Sequence, residues 1–435
     1  MLSVDTTFYS TYDFERFYQQ FATISILHDK HINIAVCLRD TATWLALCLY
    51  AKNHDISVLP IHPDTPLELA KRNASRAKCN VLFFGDMHNQ ITVDYRGETD
   101  GIAGLIQMSS GTTGEPKCIK RSWVAIDIEI ASYISHFQDA DDMTPFVACP
   151  VTHSYGLICG VLVALGRGKS PTIITNINPK FIMKMVMAAK KPLLYSSPAM
   201  LSMISLLWPK TSSLYAAMTS GTLMSKPTLE KVGQRITHLY QQYGCSESGC
   251  ISLSRIESSN TSIGEILPHV QIASGQDANH PEEIVITVPA INTCHQPQII
   301  FTQDLGYFEH KEHAPPVLHF VARQDDTIIV SGLNVYPQEI EDIVLEHPSV
   351  TDAVLFKVND TTAGQRACLY FTTDQLDADT LRMWCSDKLA AYQIPQYLHA
   401  VEHIERLANG KVNRKKLAED YANQKPQSAL EQVAG

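Results

Sequence analysis

The chain predicts a large α/β domain with largely parallel strands, followed by a smaller α+β domain. Three observations carry that prediction. Apolar strand-like runs alternate with helix-like runs through the first part of the chain, the pattern of a sheet whose strands are joined by crossover helices. A polar crossing, Ala322-Arg323-Gln324-Asp325-Asp326, separates two apolar runs and marks a boundary. At 435 residues the chain also exceeds what one ordinary core holds, so two or more domains are expected.

Taken in order, residues 32–38 read as a buried strand, 41–52 as a helix and 56–61 as a strand. A helix over 67–77 and a strand over 80–84 continue the alternation. A helix over 123–135 and strands near 146–149 and 171–175 follow. Strands at 283–288 and 299–302 lead into Gln303-Asp304-Leu305-Gly306, where Asp304 beside Gly306 has the look of a turn residue. Strands at 317–321 and 327–330 flank the polar crossing. Beyond it, Pro337 suits a first helical position, and Ile340, Ile343 and Val344 fall on one stripe of a helix over 337–345. Strands at 350–358 and 366–373, a helix at 378–389 and a strand at 397–403 complete the second domain. After Tyr421 the chain is polar and reads as a loosely ordered tail.

Composition excludes several functions. A net charge of −10 argues against general nucleic-acid binding, which usually needs a basic excess. With 45% hydrophobic and 18% charged residues the chain reads as a soluble globular protein. The first thirty residues carry Asp5, Asp13, Glu15 and Arg16 and lack the apolar core of a secretory signal. No run of eighteen apolar residues suggests a membrane span. The eleven cysteines contain no C-x-x-C pair and the seventeen histidines no H-E-x-x-H, so reduced thiols in a cytoplasmic protein are expected, without a zinc site.

The densest chemistry lies in Met108-Ser109-Ser110-Gly111-Thr112-Thr113-Gly114-Glu115-Pro116-Lys117. Glycines let backbone N–H groups approach an anion, hydroxyls add donors, and Lys117 adds a mobile positive charge. This composition suits a polyphosphate; a Ser/Gly linker would lack the preceding apolar run and the Pro-Lys ending. The spacing is not that of the common P-loop, which has four residues between its glycines and a Gly-Lys-Ser/Thr ending.

Other motifs follow in order: Pro150-Val151-Thr152-His153-Ser154-Tyr155-Gly156-Leu157, Thr219-Ser220-Gly221-Thr222-Leu223, Tyr243-Gly244-Cys245-Ser246-Glu247, Thr302-Gln303-Asp304-Leu305-Gly306, Arg323-Gln324-Asp325-Asp326 with Ser331-Gly332 and Glu339-Ile340-Glu341, and Asn409-Gly410-Lys411-Val412-Asn413-Arg414. This series resembles the adenylate-forming superfamily of acyl-CoA synthetases, aryl-acid ligases, adenylation domains and luciferases, over roughly residues 45–417. The resemblance implies stacked sheets in a large domain (1–322) with a shortened N-terminal subdomain. It also implies a hinge (323–326) and a small mobile domain (327–435) carrying a catalytic lysine.

By that resemblance, Ser109, Ser110, Gly111, Thr112, Thr113, Gly114 and Lys117 would cradle the β- and γ-phosphates of ATP. Gly221, Thr222, Tyr243 and Gly244 would border the nucleotide, with Tyr243 stacked on the base. Ser246 would hold the α-phosphate and Glu247 a Mg²⁺ ion. Asp304 would accept the ribose hydroxyls, and Arg323 would contact ribose or phosphate. Lys411 would bridge the substrate carboxylate and the α-phosphate, making Lys411, Ser246 and His153 the catalytic set. Asp325 would be the hinge. His153, Tyr155, Gly156, Tyr195, Ser220 and Gly221 would form the acyl pocket. Gln303 stands where the family has glycine, Ala322 replaces a glycine before Arg323, and Asn409 replaces a small hydroxyl residue.

The implied reaction activates a carboxylate with ATP, releases pyrophosphate and passes the acyl group to a thiol. The leading expectation is a thioester with coenzyme A. The alternative is an aryl or fatty acid loaded onto the phosphopantetheine of an acyl-carrier protein. No aspartate lies in His153-Ser154-Tyr155 to pair with an ammonium group, so a plain carboxylic acid is expected over an amino acid. An anion-binding module and a phosphotransferase releasing ADP are the readings from other classes.

Overall fold

The computed structural model describes residues 1–30, 32–93, 101–109, 117–256, 261–288, 298–330, 333–360, 364–389, 391–407 and 410–424. Ser110, Gly111, Thr112, Thr113, Gly114, Ser331, Gly332 and Asn409 lie outside them, as does the side chain of Ser109.

The strands run β1 (Leu2–Val4), β2 (Thr7–Tyr9), β3 (Asn33–Leu38), β4 (Ser57–Pro60), β5 (Val81–Gly85), β6 (Gln90–Thr92), β7 (Gly104–Ser109) and β8 (Lys117–Ser122). Next come β9 (Thr144–Val147), β10 (Thr172–Ile173), β11 (Pro192–Ser196), β12 (Leu214–Thr219), β13 (Ile236–Cys245), β14 (Gly249–Arg255) and β15 (Ser262–Ile266). The rest are β16 (Gln271–Ala273), β17 (Glu282–Val288), β18 (Gln298–Glu309), β19 (Val317–Arg323), β20 (Ile328–Val330), β21 (Leu333–Val335), β22 (Val350–Asp360), β23 (Gly364–Thr373) and β24 (Tyr397–Ala400). The helices are α1 (Thr11–Phe21), α2 (Thr41–Asn53), α3 (Leu67–Arg76), α4 (Trp123–His136), α5 (Val163–Gly166), α6 (Pro179–Val186), α7 (Pro198–Leu207), α8 (Lys226–Gly233), α9 (Pro337–Leu345), α10 (Ala378–Ser386) and α11 (Arg414–Gln424).

Three sheets result. A six-stranded sheet has the order β6-β5-β3-β4-β7-β8. A thirteen-stranded sheet runs β16-β17-β18-β19-β15-β14-β13-β12-β11-β9-β10-β1-β2. The first two stack, because one core joins Ile34, Val36, Val58 and Phe83 of the small sheet to Val147, Leu193, Met218 and Tyr240 of the large one. Helix α2 lies in that core and is buried nearly all round (Trp44, Leu45, Leu47, Cys48 and Tyr50 among others), with Asp40 capping its first turn through the Thr43 N–H. A second core, built from Ile182, Met183, Val186, Leu201, Ile204 and Trp208, packs α6 and α7 with Phe146, Leu194, Ala217 and Leu239 of the large sheet. The smaller domain holds β21-β20-β23-β22 with β24 beside β23, and Ile340, Val344, Leu381 and Cys385 of α9 and α10 belong to its main core.

The predicted α/β large domain and smaller second domain are present, with corrections. The large sheet is parallel only from β1 and β10 through β9, β11 and β12 to β13; from β13 onward toward β16 it is antiparallel. The reason is local: β13 and β14 are joined by three residues, too few for a crossover. Strand β18 runs through Asp304 and Gly306 instead of turning there, because it pairs with β17 and β19 across that stretch. A π-helix, Tyr155–Leu162, was not visible in the residue pattern. Helix α11 extends past Tyr421 because that ring is buried against Phe356; residues 425–435 lie outside the described set. Among the described residues no helix is long and apolar enough to cross a membrane.

Candidate active site

A cleft of about 670 Å³ lies where the ends of several large-domain elements meet the small domain. Its floor is the turn after β12, Ser220-Gly221-Thr222-Leu223, and its side is the turn between β13 and β14, which carries Ser246 and Glu247. That second turn is locally forced. A side chain at Gly244 would meet the Gly249 carbonyl at 2.2 Å, and Gly249 has φ +82 and sits against Arg121 and Glu129. Beneath it, Arg121 Nη2 donates to Glu129 Oε2 at 2.5 Å, and Glu129 Oε1 accepts from the Cys250 N–H at 2.7 Å. This buried pair ties β8, which begins at Lys117, to the strand leaving the Ser246-Glu247 turn. Lys117 lines the cleft, and Ser109 pairs with it in the β7–β8 ladder, so the chain enters and leaves the hydroxyl-rich loop at the cleft.

The opposite wall is set by strand register. Asp304 on β18 stands opposite Arg323 on β19, and Arg323 Nη1 lies 3.3 Å from Asp304 Oδ1. The Tyr243 hydroxyl donates to Asp304 Oδ2 at 2.6 Å. Burial raises the Tyr243 pKa far above the phenol range, with Asp304 adding to it, so the hydroxyl remains a donor. Burial also raises the Asp304 carboxyl, opposed by the Tyr243 bond, Arg323 and Lys411. Apart from the ion pair with Arg323, Asp304 Oδ1 is buried and has no hydrogen-bond partner among the described residues. Its remaining acceptor capacity is what a sugar hydroxyl would satisfy. Gln303, in the position where glycine was expected, has φ +60. Its N–H is held by Glu283 at 2.7 Å.

The small domain delivers Lys411 into this cleft on a tight turn in which Gly410 has φ +81 and its N–H bonds the Leu407 carbonyl at 2.8 Å. Partial burial lowers the Lys411 ammonium from its usual range, Arg323 lowers it further, and Asp304 opposes both. Solvent still reaches the side chain. Three residues later, Arg414 donates twice to Glu341 (2.7 and 3.0 Å), to Asp326 Oδ2 at 3.3 Å and to the Leu355 carbonyl at 2.9 Å. The lysine turn is thereby tied to Asp326, three residues past the end of β19 at Arg323, and to α9. Arg323 in turn donates to Asp325 at 3.1 Å, and Lys357 donates to the Asp325 carbonyl.

Another part of the cleft wall is formed by His153, Ser154, Tyr155, Cys159, Gln107 and Gln242. The Tyr155 hydroxyl donates to the Met218 carbonyl at 2.6 Å and accepts the Ser196 N–H at 3.1 Å, so it is spent within the protein and contributes only its ring. Ser154 donates to Gln107. Burial lowers the His153 pKa, helped by nearby His62 and Lys411, which leaves the imidazole neutral near pH 7.

Of the residues singled out from sequence, the cleft brings together Lys117, His153, Tyr155, Ser220, Gly221, Thr222, Tyr243, Gly244, Ser246, Glu247, Asp304, Arg323 and Lys411. Tyr195 and Gly156 are corrections: both are buried off the cleft wall. The Tyr195 ring sits 6.0 Å from Tyr155, and Gly156 is pressed on the Pro150 carbonyl. Gln107, Gln242, Glu341 and Arg414 were not singled out. Arg414 ended the lysine motif and Glu341 lay in Glu339-Ile340-Glu341, but nothing in the spacing paired residues 73 positions apart. Among the described residues no cluster of three or more metal-ligating side chains occurs. Glu247 alone, on the cleft wall and without an ion-pair partner among the described residues, fits a Mg²⁺ ion that takes its remaining ligands from phosphate and water.

Known proteins resemble this chain in sequence and in fold. The AMP-binding enzyme family matches residues 103–281, and the AMP-binding enzyme C-terminal domain matches residues 339–411. A 3,4-dihydroxybenzoate–[aryl-carrier protein] ligase of Bacillus anthracis is 37% identical over 421 residues, covering 96% of this chain and 98% of that one. A 2-succinylbenzoate–CoA ligase of Lactococcus lactis is 26% identical, covering 72% and 70%. Among solved structures, ATP-bound MatB from Rhodopseudomonas palustris superposes with a TM-score of 0.82 at 16% identity, covering 97% and 95%. O-succinylbenzoate coenzyme A synthetase from Bacillus subtilis, in complex with AMP, gives 0.79 at 19% identity, covering 96% and 94%. These two share the fold.

Proposed function

We propose, from the premise that this chain belongs to the AMP-binding, adenylate-forming enzymes, that it activates a hydroxylated aryl acid and loads it onto the phosphopantetheine thiol of an aryl-carrier protein. The observation that carries this reading is the meeting of Lys411 from the small domain with Asp304, Tyr243 and Arg323 from the large one in a single cleft.

In the first step a carboxylate oxygen of the acid attacks the α-phosphorus of ATP, the bond to the β-phosphate oxygen breaks, and pyrophosphate leaves. Two anions must meet, so preorganised positive charge governs the rate. Lys411 bridges the two reacting groups, Ser246 donates to the α-phosphate, and Lys117 with the hydroxyl-rich loop holds the outer phosphates. Asp304, steadied by Tyr243, takes a ribose hydroxyl. Mg²⁺, held by Glu247, would supply charge neutralisation on the phosphates. A neutral His153 borders the acyl group without adding to the charge at Lys411. In the second step the thiol sulfur attacks the acyl carbon, its proton is lost, and AMP leaves with the bonding pair. Rotation about Asp325, between domains at 1–322 and 327–435, would exchange the lysine for the thiol channel.

Gln107 and Ser154, bonded to each other, give the acyl end amide and hydroxyl groups that suit phenolic oxygens better than an aliphatic tail, while Gln242 is held by Tyr133 and Cys159. The Bacillus anthracis relative uses a dihydroxybenzoate and a carrier protein, whereas the coenzyme A ligase resembles this chain less. Carrier loading therefore takes precedence over the coenzyme A thioester expected first from the motifs. The test is acid-dependent ATP–pyrophosphate exchange across 3,4-dihydroxybenzoate, benzoate and decanoate, followed by acyl transfer to holo aryl-carrier protein or coenzyme A. Dihydroxybenzoate and carrier protein should give the highest kcat/KM. Preference for decanoate and coenzyme A would overturn the assignment.

A further inference from the structure

Charge is divided unevenly along this chain. Between Met143 and Leu229 there is no aspartate or glutamate, yet there are eight lysines and arginines, in a chain whose net charge is −10. This stretch forms β9 to β12 and the helices α6 and α7 that cover one face of the large sheet. Two of the eight are consumed locally, Arg167 by Asp141 and Lys191 by Asp142. Lys180 and Lys184 are exposed one turn apart on α6 and have no ion-pair partner among the described residues. Their neighbours are exposed apolar side chains: Ile177 (77% exposed) just before α6, Met187 just after it, and Met203, Leu206 and Leu207 on α7. The buried sides of α6 and α7 share one core, which sets their outer faces side by side.

The face is also oriented toward the cleft. β10, β11 and β12 all run parallel with their neighbours, so α6, α7 and α8 all begin at the same end of the sheet. Helix α7 starts directly after Ser196 and Ser197, and Ser196 holds the hydroxyl of Tyr155 on the cleft wall. Helix α8 starts at Lys226, whose N–H lies 3.4 Å from Asp342 of the small domain. The N-terminal ends of these helices, with Ile177 and Lys180, therefore lie at the cleft end of the sheet; Lys184 follows in the last turn of α6, and Lys190 and Lys210 lie at the far end.

We infer that the outer face of α6 and α7 is the docking surface for the carrier protein, which it grips through an acidic helix with an apolar residue at its centre. This rests on the carrier-protein reading above. Lysines one helical turn apart match carboxylates at the same spacing, Ile177 and Met203 supply the apolar contact, and a thiol tethered at that end would start nearest the cleft. Complementary charge of this kind acts mainly on encounter, so it should govern KM for the carrier and its salt dependence.

The test compares Lys180→Glu/Lys184→Glu with Lys190→Glu/Lys210→Glu, using the holo aryl-carrier protein served by the Bacillus anthracis relative. The cleft-side variant should keep ATP–pyrophosphate exchange within about twofold, raise KM for the carrier by about tenfold or more, and leave transfer to free pantetheine unchanged. Retained exchange shows that the fold survives. The far-end variant should change the carrier KM by no more than about threefold. An unchanged carrier KM in the cleft-side variant would overturn the surface, as would equal effects of both variants, which would indicate a diffuse field. Binding of wild type to phosphatidylglycerol vesicles, lost in the cleft-side variant while its carrier kinetics stay intact, would assign the face to lipid and also overturn it. A wild-type enzyme that acylates coenzyme A but no carrier would remove the acceptor reading itself.

Discussion

The two sides of the cleft are held by different physics. The nucleotide wall of the large domain is fixed by sheet register and burial: Asp304 faces Arg323 because β18 pairs with β19, and Tyr243 is a buried donor with one acceptor to serve. The lysine turn of the small domain has no such sheet around it. It is anchored by guanidinium groups: Arg414 grips a buried glutamate and a carboxylate of the crossing between domains, and Arg406 donates to the Gly410 carbonyl at 3.4 Å. On the proposed function, a fixed wall would suit a nucleotide held through both steps. An ionic anchor beside the crossing would suit a lysine used in only one.

That contrast can be broken from either side. The largest effect should come from Arg414→Met. It leaves Glu341, which is 6% exposed, without its charged partner, and should cost about 3–5 kcal/mol of small-domain stability. Urea unfolding followed by Trp384 fluorescence would measure it, and a loss below about 1 kcal/mol would show that the anchor is incidental. Next is Lys411→Ala, expected to slow acid-dependent pyrophosphate exchange by about 10²–10³ while sparing thioester formation from a supplied acyl-adenylate. Equal loss in both half-reactions would mean that the lysine does not separate them. Because burial and Arg323 hold the Lys411 pKa down, the alkaline limb of exchange should fall below the usual lysine range. Arg323→Gln should move that limb upward, and an unmoved limb would remove Lys411 as its source.

On the fixed wall, Tyr243→Phe leaves Asp304 Oδ2 without its hydroxyl donor at a cost of about 1–3 kcal/mol, seen as a raised KM for ATP with little change in pyrophosphate affinity. An unchanged KM would show that Asp304 does not need the tyrosine. The smallest effect is Gln303→Gly. It relieves a non-glycine residue in the left-handed backbone region and should leave activity unchanged while raising stability by up to about 1 kcal/mol, read as a small rise in Tm.

Legibility in the sequence followed the same division. Local patterns gave α2, α4 and α9 within a residue or two, because their apolar residues, the Asp40 and Ser122 caps of α2 and α4, and Pro337 at the start of α9 are encoded in neighbouring residues. Motif order brought thirteen of the named side chains to one cleft. Tertiary pairings were harder. The turn that Asp304 beside Gly306 could have made is absent: both lie inside β18, because strands on both sides supply hydrogen bonds that no local pattern reveals. Tyr195 read as a pocket residue but packs behind Tyr155, since an aromatic on a buried strand looks the same from either face. Arg414 and Glu341 became a pair only when α9 and the start of α11 came together.

An acyl-adenylate enzyme is defined by the phosphate bond that breaks. With ATP, a dihydroxybenzoate and holo carrier protein, nucleotide products separated by ion-exchange chromatography should be AMP in equal amount to acylated carrier, with pyrophosphate released and no ADP. ADP as the sole nucleotide product, with inorganic phosphate or a phosphorylated acid beside it, would contradict an enzyme that works through an acyl-adenylate.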